Sequence, residues 1–157
     1  MAKQIALAIG AAHEQGIIHR DLKPGNMMIN KQGILKIMDF GLAKTLQDGR
    51  ETDSNVSGTP RFMAPEQFIG KALDQRTDIY AVGVILYVIF TGRSPYQADS
   101  FKDWARAHTY DEIPKASLLV PNIDKRIDDI ITKAMQKKQD DRYDSIKDLL
   151  NDLEELS

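Results

Sequence analysis

The sequence predicts a mostly α protein with a small β component, folded as one domain over residues 1–157. Three observations carry this. Apolar residues recur at helical spacing in three segments, and a fourth segment is apolar almost all round. The strand-like runs are short, lie near the N-terminus and are joined by turn residues. The length, with 42% hydrophobic and 28% charged residues, is that of an ordinary globular chain with one core.

Taken in order, Ile5, Ala8, Ile9 and Ala12 fall at i, i+3, i+4 and i+7, a helical stripe that Gly16 is placed to stop. Met1 opens almost on this helix, with no cap residue before it. Ile17-Ile18 and Met27-Met28-Ile29 read as short strands flanking a polar loop. Ile34 to Met38 is a further strand, reached through the turn signal Asn30-Lys31-Gln32-Gly33. From Leu42 to Arg61 the chain turns polar and reads as a long surface loop. Ile79 to Phe90 should be a buried central helix, stopped by Thr91-Gly92-Arg93-Ser94-Pro95. Ser100 with Asp103 forms a capping pattern for a helix through about His108, where Trp104 would pack. Ile127, Ile130, Ile131, Ala134 and Met135 make another stripe. Ile146, Leu149, Leu150 and Leu153 make the last, capped by Ser145 with Asp148.

Composition excludes several classes. A formal charge of -2 argues against nucleic-acid or membrane binding through bulk electrostatics. The absence of Cys rules out disulfides, a thiolate nucleophile and a zinc knuckle, and suits a reducing, cytoplasmic setting. The N-terminus lacks a signal-peptide pattern, and the longest apolar run, Gly83 to Phe90, is too short to span a bilayer.

Chemistry concentrates in three motifs, in one order: His19-Arg20-Asp21-Leu22-Lys23-Pro24-Gly25-Asn26, then Asp39-Phe40-Gly41, then Ala64-Pro65-Glu66. Alone, Asp-Phe-Gly would be a turn and Ala-Pro-Glu a helix start. The eight-residue loop is far more specific, and its strand-loop-strand setting supplies context. Together they resemble the protein-kinase signature set, and the resemblance extends along the whole chain. It implies the C-terminal lobe of the protein-kinase fold. Lys23-Pro24 and Gly58-Thr59-Pro60-Arg61-Phe62-Met63 resemble serine/threonine kinases. The segments Pro95 to Ser100 and Arg142 to Ser145 are similar to the bacterial, Hanks-type branch.

The resemblance also implies roles. Asp21 would accept or orient the substrate hydroxyl's proton, and Lys23 would face the transferring phosphoryl of ATP. Mg²⁺ favours hard oxygen ligands; Asn26 and Asp39 would supply them from adjacent strand ends. Met28 would floor the adenine site, or else be ordinary core. His19 would be structural, stacking near Phe40, and Gly41 would let the backbone reverse. Asp78 would hold the catalytic-loop backbone, and Arg142 would pair with Glu66. Thr59 would bridge Asp21 and Lys23. Arg20 points to an activation loop ordered by phosphorylation, with Thr52, Ser54 and Ser57 as candidate sites.

The glycine-rich loop and strand lysine that hold ATP phosphates in this family do not occur in the sequence. The expectation is therefore a C-terminal lobe without its ATP-binding N-terminal lobe, a fragment inactive by itself. Its partners would be proteins with Ser/Thr acceptors and an N-terminal lobe or partner chain, with no nucleic acid and no membrane. The alternative is a non-catalytic, kinase-like binding or scaffold module. A bared interlobe surface around Met27 and Met28 would also favour self-association.

Overall fold

A computed structural model describes residues 1–40 and 60–156. Among these the architecture is six α-helices and one two-stranded sheet, joined by short 3₁₀ turns. The predicted class, mostly α with a small β component, is the one observed.

Helix α1 spans Ala2–Glu14 and buries Ile5, Ala6 and Ile9. The buried row thus passes through Ala6, while Ala8 and Ala12 are only half-buried. Gly16 ends the helix at φ +72°. Its N–H donates to the His13 carbonyl at 2.9 Å, and the Ile17 N–H donates to the Ala12 carbonyl at 3.0 Å. This paired closure needs the left-handed conformation that glycine adopts without a Cβ clash. The Ile17-Ile18 strand is not formed: the segment runs without regular structure into the loop. No strand pairs with it among the described residues.

Those two are β1, Met27–Ile29, and β2, Leu35–Ile37, antiparallel with Met27 opposite Ile37 and Ile29 opposite Leu35. Asn30 builds the turn; its Oδ1 accepts from the N–H groups of Gln32 and Ile34 at 3.0 and 2.9 Å. Gln4 on α1 docks the hairpin, donating to the Gly33 carbonyl and accepting from the Leu35 N–H. Met28, Ile29 and Ile34 are each more than half exposed, whereas Met27 packs half-buried against the core. The bare apolar face therefore contains Met28 but not Met27.

After the short helix α2, Pro65–Phe68, comes the central helix α3, Gln75–Thr91. Asp74 caps its start by accepting from the Arg76 N–H at 2.8 Å. Gly92, at φ +71°, closes its end. Every residue from Thr77 to Tyr87 is buried. The helix starts four residues before the predicted apolar run, and Ile89 reaches the surface.

Helices α4, Phe101–Tyr110, α5, Arg126–Ala134, and α6, Ile146–Glu154, complete the lobe. Ser100 and Ser145 cap α4 and α6 as the sequence indicates. Helix α6 lies along α1, and α5 lies along α3. At the α3–α5 contact a Cβ on Gly83 would meet Met135 Cγ at 2.8 Å and Ala134 Cβ at 2.9 Å. Gly83→Ala should therefore destabilise the lobe despite better helix propensity, by about 1–2 kcal/mol. Thermal unfolding checks it: an unchanged or raised Tm would refute the close-packing account.

Candidate functional site

The loop carrying Asp21 is held by a carboxylate buried beneath it. Asp78, in the first turn of α3, is 1% exposed. Its Oδ2 accepts from the His19 N–H at 2.8 Å and its Oδ1 from the Arg20 N–H at 2.9 Å. His13 Nε2, at the end of α1, lies 2.8 Å from the same Oδ2. Charge-assisted bonds of this kind are short and strong. They hold Arg20 at φ +71°, where a non-glycine residue is strained.

The His19 imidazole is fully buried. Its Nε2 lies 2.8 Å from the Met38 carbonyl, and its Nδ1 accepts from the Asp21 N–H at 3.2 Å. Accepting at Nδ1 leaves the proton on Nε2, so this pairing describes a neutral ring. Phe40 meets it edge-on at 4.6 Å. The structural role expected of His19 is the one observed.

Asp21, Lys23 and Asn26 come together. Lys23 Nζ lies 3.4 Å from Asp21 Oδ2, with both side chains partly solvated. The buried Asn26 donates through Nδ2 to the Asp21 carbonyl at 2.8 Å and reaches Asp21 Oδ2 at 3.5 Å. Because that carbonyl can only accept, the amide orientation is fixed and Asn26 Oδ1 is left for another partner. Asp39 joins through the backbone: the Met38 N–H donates to the Asn26 carbonyl at 2.8 Å. Neither metal-ligand candidate lies within a strand. Asn26 ends the turn before β1, and Asp39 follows β2 by two residues at φ +60°. Gly41, Thr52, Ser54, Ser57 and Thr59 lie outside the described residues.

No group of three or more His, Cys, Asp or Glu suited to a metal occurs among the described residues. A single amide oxygen with a single carboxylate suits an ion that keeps water and phosphate oxygens in its shell, as Mg²⁺ does. Met28 is 56% exposed, so it is surface available to a ligand rather than core.

A buried ion pair supports the far side. Arg142 Nη1 and Nη2 donate to Glu66 Oε1 and Oε2 at 2.7 and 2.8 Å. The other guanidinium donors reach the carbonyls of Gln136, Arg76 and Lys137, so all five N–H groups are used. Thr77 adds a bond to Glu66 Oε1 at 2.9 Å.

Sequence reasoning missed His13, the Gln67 bonds described below, and a buried cluster around His108. There Tyr80, Tyr96, Phe68 and Trp104 surround the ring, and the Tyr80 hydroxyl lies 2.8 Å from Nδ1. Burial, reinforced by the Lys137 ammonium, pushes the His108 imidazole down to about 3. A polar residue on an amphipathic helix gives no signal of such a pocket; only the tertiary packing does.

The helical lobe, the loop pinned on α3 and the buried Glu66–Arg142 fork define the C-terminal-lobe class of the protein-kinase fold. Residues 1–153 match the protein kinase domain family, and the chain belongs to it. It is 40% identical over 149 residues to a probable serine/threonine-protein kinase PknB of Bifidobacterium longum, covering 93% of this chain and 22% of that protein. It is 40% identical to the serine/threonine-protein kinase PknH of Mycobacterium tuberculosis, covering 93% of this chain and 24% of that protein. For Pkn1 of Myxococcus xanthus the identity is 39%, over 96% of this chain and 23% of the relative. These relatives are bacterial serine/threonine kinases, as the Hanks-type resemblance implies. The chain spans about a quarter or less of their length.

Two outcomes follow. Arg142→Met should lower stability by about 3–5 kcal/mol, because it leaves the Glu66 carboxylate buried without its partner; denaturant titration measures it. His108 should contribute to acid lability. The unfolded chain binds a proton near 6.5 and the folded chain only near 3. That stability is complete above 6.5 and is lost as pH falls towards 3, with a slope of at most about 1.4 kcal/mol per pH unit. His108→Gln should flatten the fall of Tm across this window, and an equally steep fall would exclude the assignment.

Proposed function

We propose that the chain supplies the catalytic loop, metal ligands and substrate-side scaffold of a protein serine/threonine kinase, which transfers the ATP γ-phosphate to Ser/Thr hydroxyls. The observation that carries it is the convergence of Asp21, Lys23 and Asn26, with Asp39 one residue beyond the backbone bond that pairs Met38 with Asn26.

Phosphoryl transfer asks a protein for positioning and charge neutralisation. Asp21, one-third exposed, faces solvent where a substrate hydroxyl can reach it, and its carboxylate orients that hydroxyl and takes its proton. Lys23, held beside it, offers positive charge to the phosphoryl oxygens. Asn26 Oδ1 and the Asp39 carboxylate would hold Mg²⁺, which when bound neutralises phosphate charge. Met28 presents an apolar surface for the adenine ring.

The ATP roof comes from an N-terminal lobe, seated on the exposed Met28, Ile29 and Ile34 surface. Without that lobe, the same surface favours self-association. No helix among the described residues is long and apolar enough to cross a membrane. We place the activity in the cytoplasm.

The 157-residue chain should bind MgATP weakly by calorimetry and transfer phosphate slowly. Addition of a complementary lobe carrying a glycine-rich loop and a strand lysine should restore transfer to a Ser/Thr peptide. Asp21→Asn should then cost about 100-fold or more in kcat. A restored rate indifferent to Asp21→Asn would favour the scaffold reading, with the chemistry supplied elsewhere.

A further inference from the structure

The Arg20–Asp21 peptide group, immediately before the proposed base, is gripped at both ends. Its N–H donates to His19 Nδ1 at 3.2 Å. Its carbonyl accepts from Gln67 Nε2 at 2.7 Å, across 47 residues of chain. The preceding peptide is fixed by its own N–H on Asp78. Arg20 therefore sits at φ +71° between two anchored peptides.

The Gln67 amide has a second engagement. Its Oε1 accepts from the N–H of Ala64, the residue that caps α2, at 2.9 Å. Ala64 has no side-chain acceptor to begin a capping box, so only the return half of that motif exists. The orientation of the amide follows from chemistry, since the Ala64 N–H only donates and the Arg20 carbonyl only accepts. No charged or apolar side chain of this length offers a donor and an acceptor together. Gln67, Arg20 and Asp21 line one narrow cleft, in which the Gln67–Ala64 bond is half-buried and the Gln67–Arg20 bond is exposed.

We propose that Gln67 is a positioning residue for catalysis: one amide ties the Ala-Pro-Glu helix to the peptide bond that aims Asp21. Gln67 touches no reacting atom. It acts by keeping Arg20 at its strained φ of +71°, which the loop would otherwise relax, and so fixes the peptide that leads into Asp21. The inference rests on the kinase reading above.

The test compares Gln67→Glu, which keeps the acceptor for Ala64 but loses the donor, with Gln67→Met, which loses both. Arg20-Asp21 is the only Arg-Asp dipeptide in the sequence. Labelling Arg carbonyls with ¹³C and Asp nitrogens with ¹⁵N therefore gives one correlation, from this peptide. Both variants should move the ¹³C resonance upfield in the 157-residue chain, and Gln67→Glu should leave Tm near that of the unmodified protein. In the complemented kinase, Gln67→Glu should lower kcat about fivefold, the effect of one lost hydrogen bond, with KM for MgATP unchanged. An unmoved resonance, an unchanged kcat, or a kcat loss that follows Tm across both variants would overturn the inference. An unmodified kinase without activity would instead overturn the kinase reading, and with it the catalytic consequence of this bond.

Discussion

The carboxylate of Asp78 lies in the first turn of α3, shut away from water, and donors from two other segments converge on it. An anion so placed is tolerable only when its oxygens are occupied. The bonds that occupy them fix the loop. From the His19 and Arg20 N–H groups the constraint passes through the His19 ring to the Met38 carbonyl, and the Met38 N–H carries it to Asn26. Segments that carry the proposed base, cation and metal-ligating oxygens are thus referred to one buried carboxylate, which among the described residues hydrogen-bonds His13 and backbone groups.

The neighbouring position on α3 serves the other half of the lobe. Thr77 bonds Glu66, and Glu66 is gripped by Arg142. Two adjacent residues at the start of one helix therefore set both the loop carrying Asp21 and helix α2. This explains why α3 must be apolar all round. A helix enclosed by α1, α5 and α6 can act as a rigid reference for the groups at its end, whereas a surface helix would fray there.

Much of this was legible in the sequence, for identifiable reasons. Helical stripes and Ser-x-x-Asp caps are local, and α4, α5 and α6 appeared where those signals stood. The Asp78 and Glu66–Arg142 contacts were legible only through family resemblance, since partners dozens of residues apart share no local pattern. Ile17-Ile18 misled because β-branched residues report suitability for a strand, not the presence of a neighbour. The positive φ angles at Arg20 and Asp39 carried no glycine signal, because tertiary bonds rather than local preference impose them. Gln67 was hidden for a related reason: the capping rule requires Ser or Thr three residues earlier, and Ala64 is there.

The Glu66–Arg142 bond spans 76 residues, against 58 and 59 for the bonds from Asp78 to the loop backbone. On a ribosome adding roughly 5–20 residues per second, Glu66 waits about 4–15 s for its arginine to be made. Throughout that interval the nascent chain holds a carboxylate that cannot be buried without its counter-charge. The residues of the loop contacts are made first, whereas Glu66 lacks its counter-charge until Arg142 has emerged from the exit tunnel. Synthesis therefore supplies the partners of Asp78 well before the partner of Glu66. A chain stopped before Arg142 would carry the Glu66 carboxylate without its partner, which distinguishes it from the finished protein.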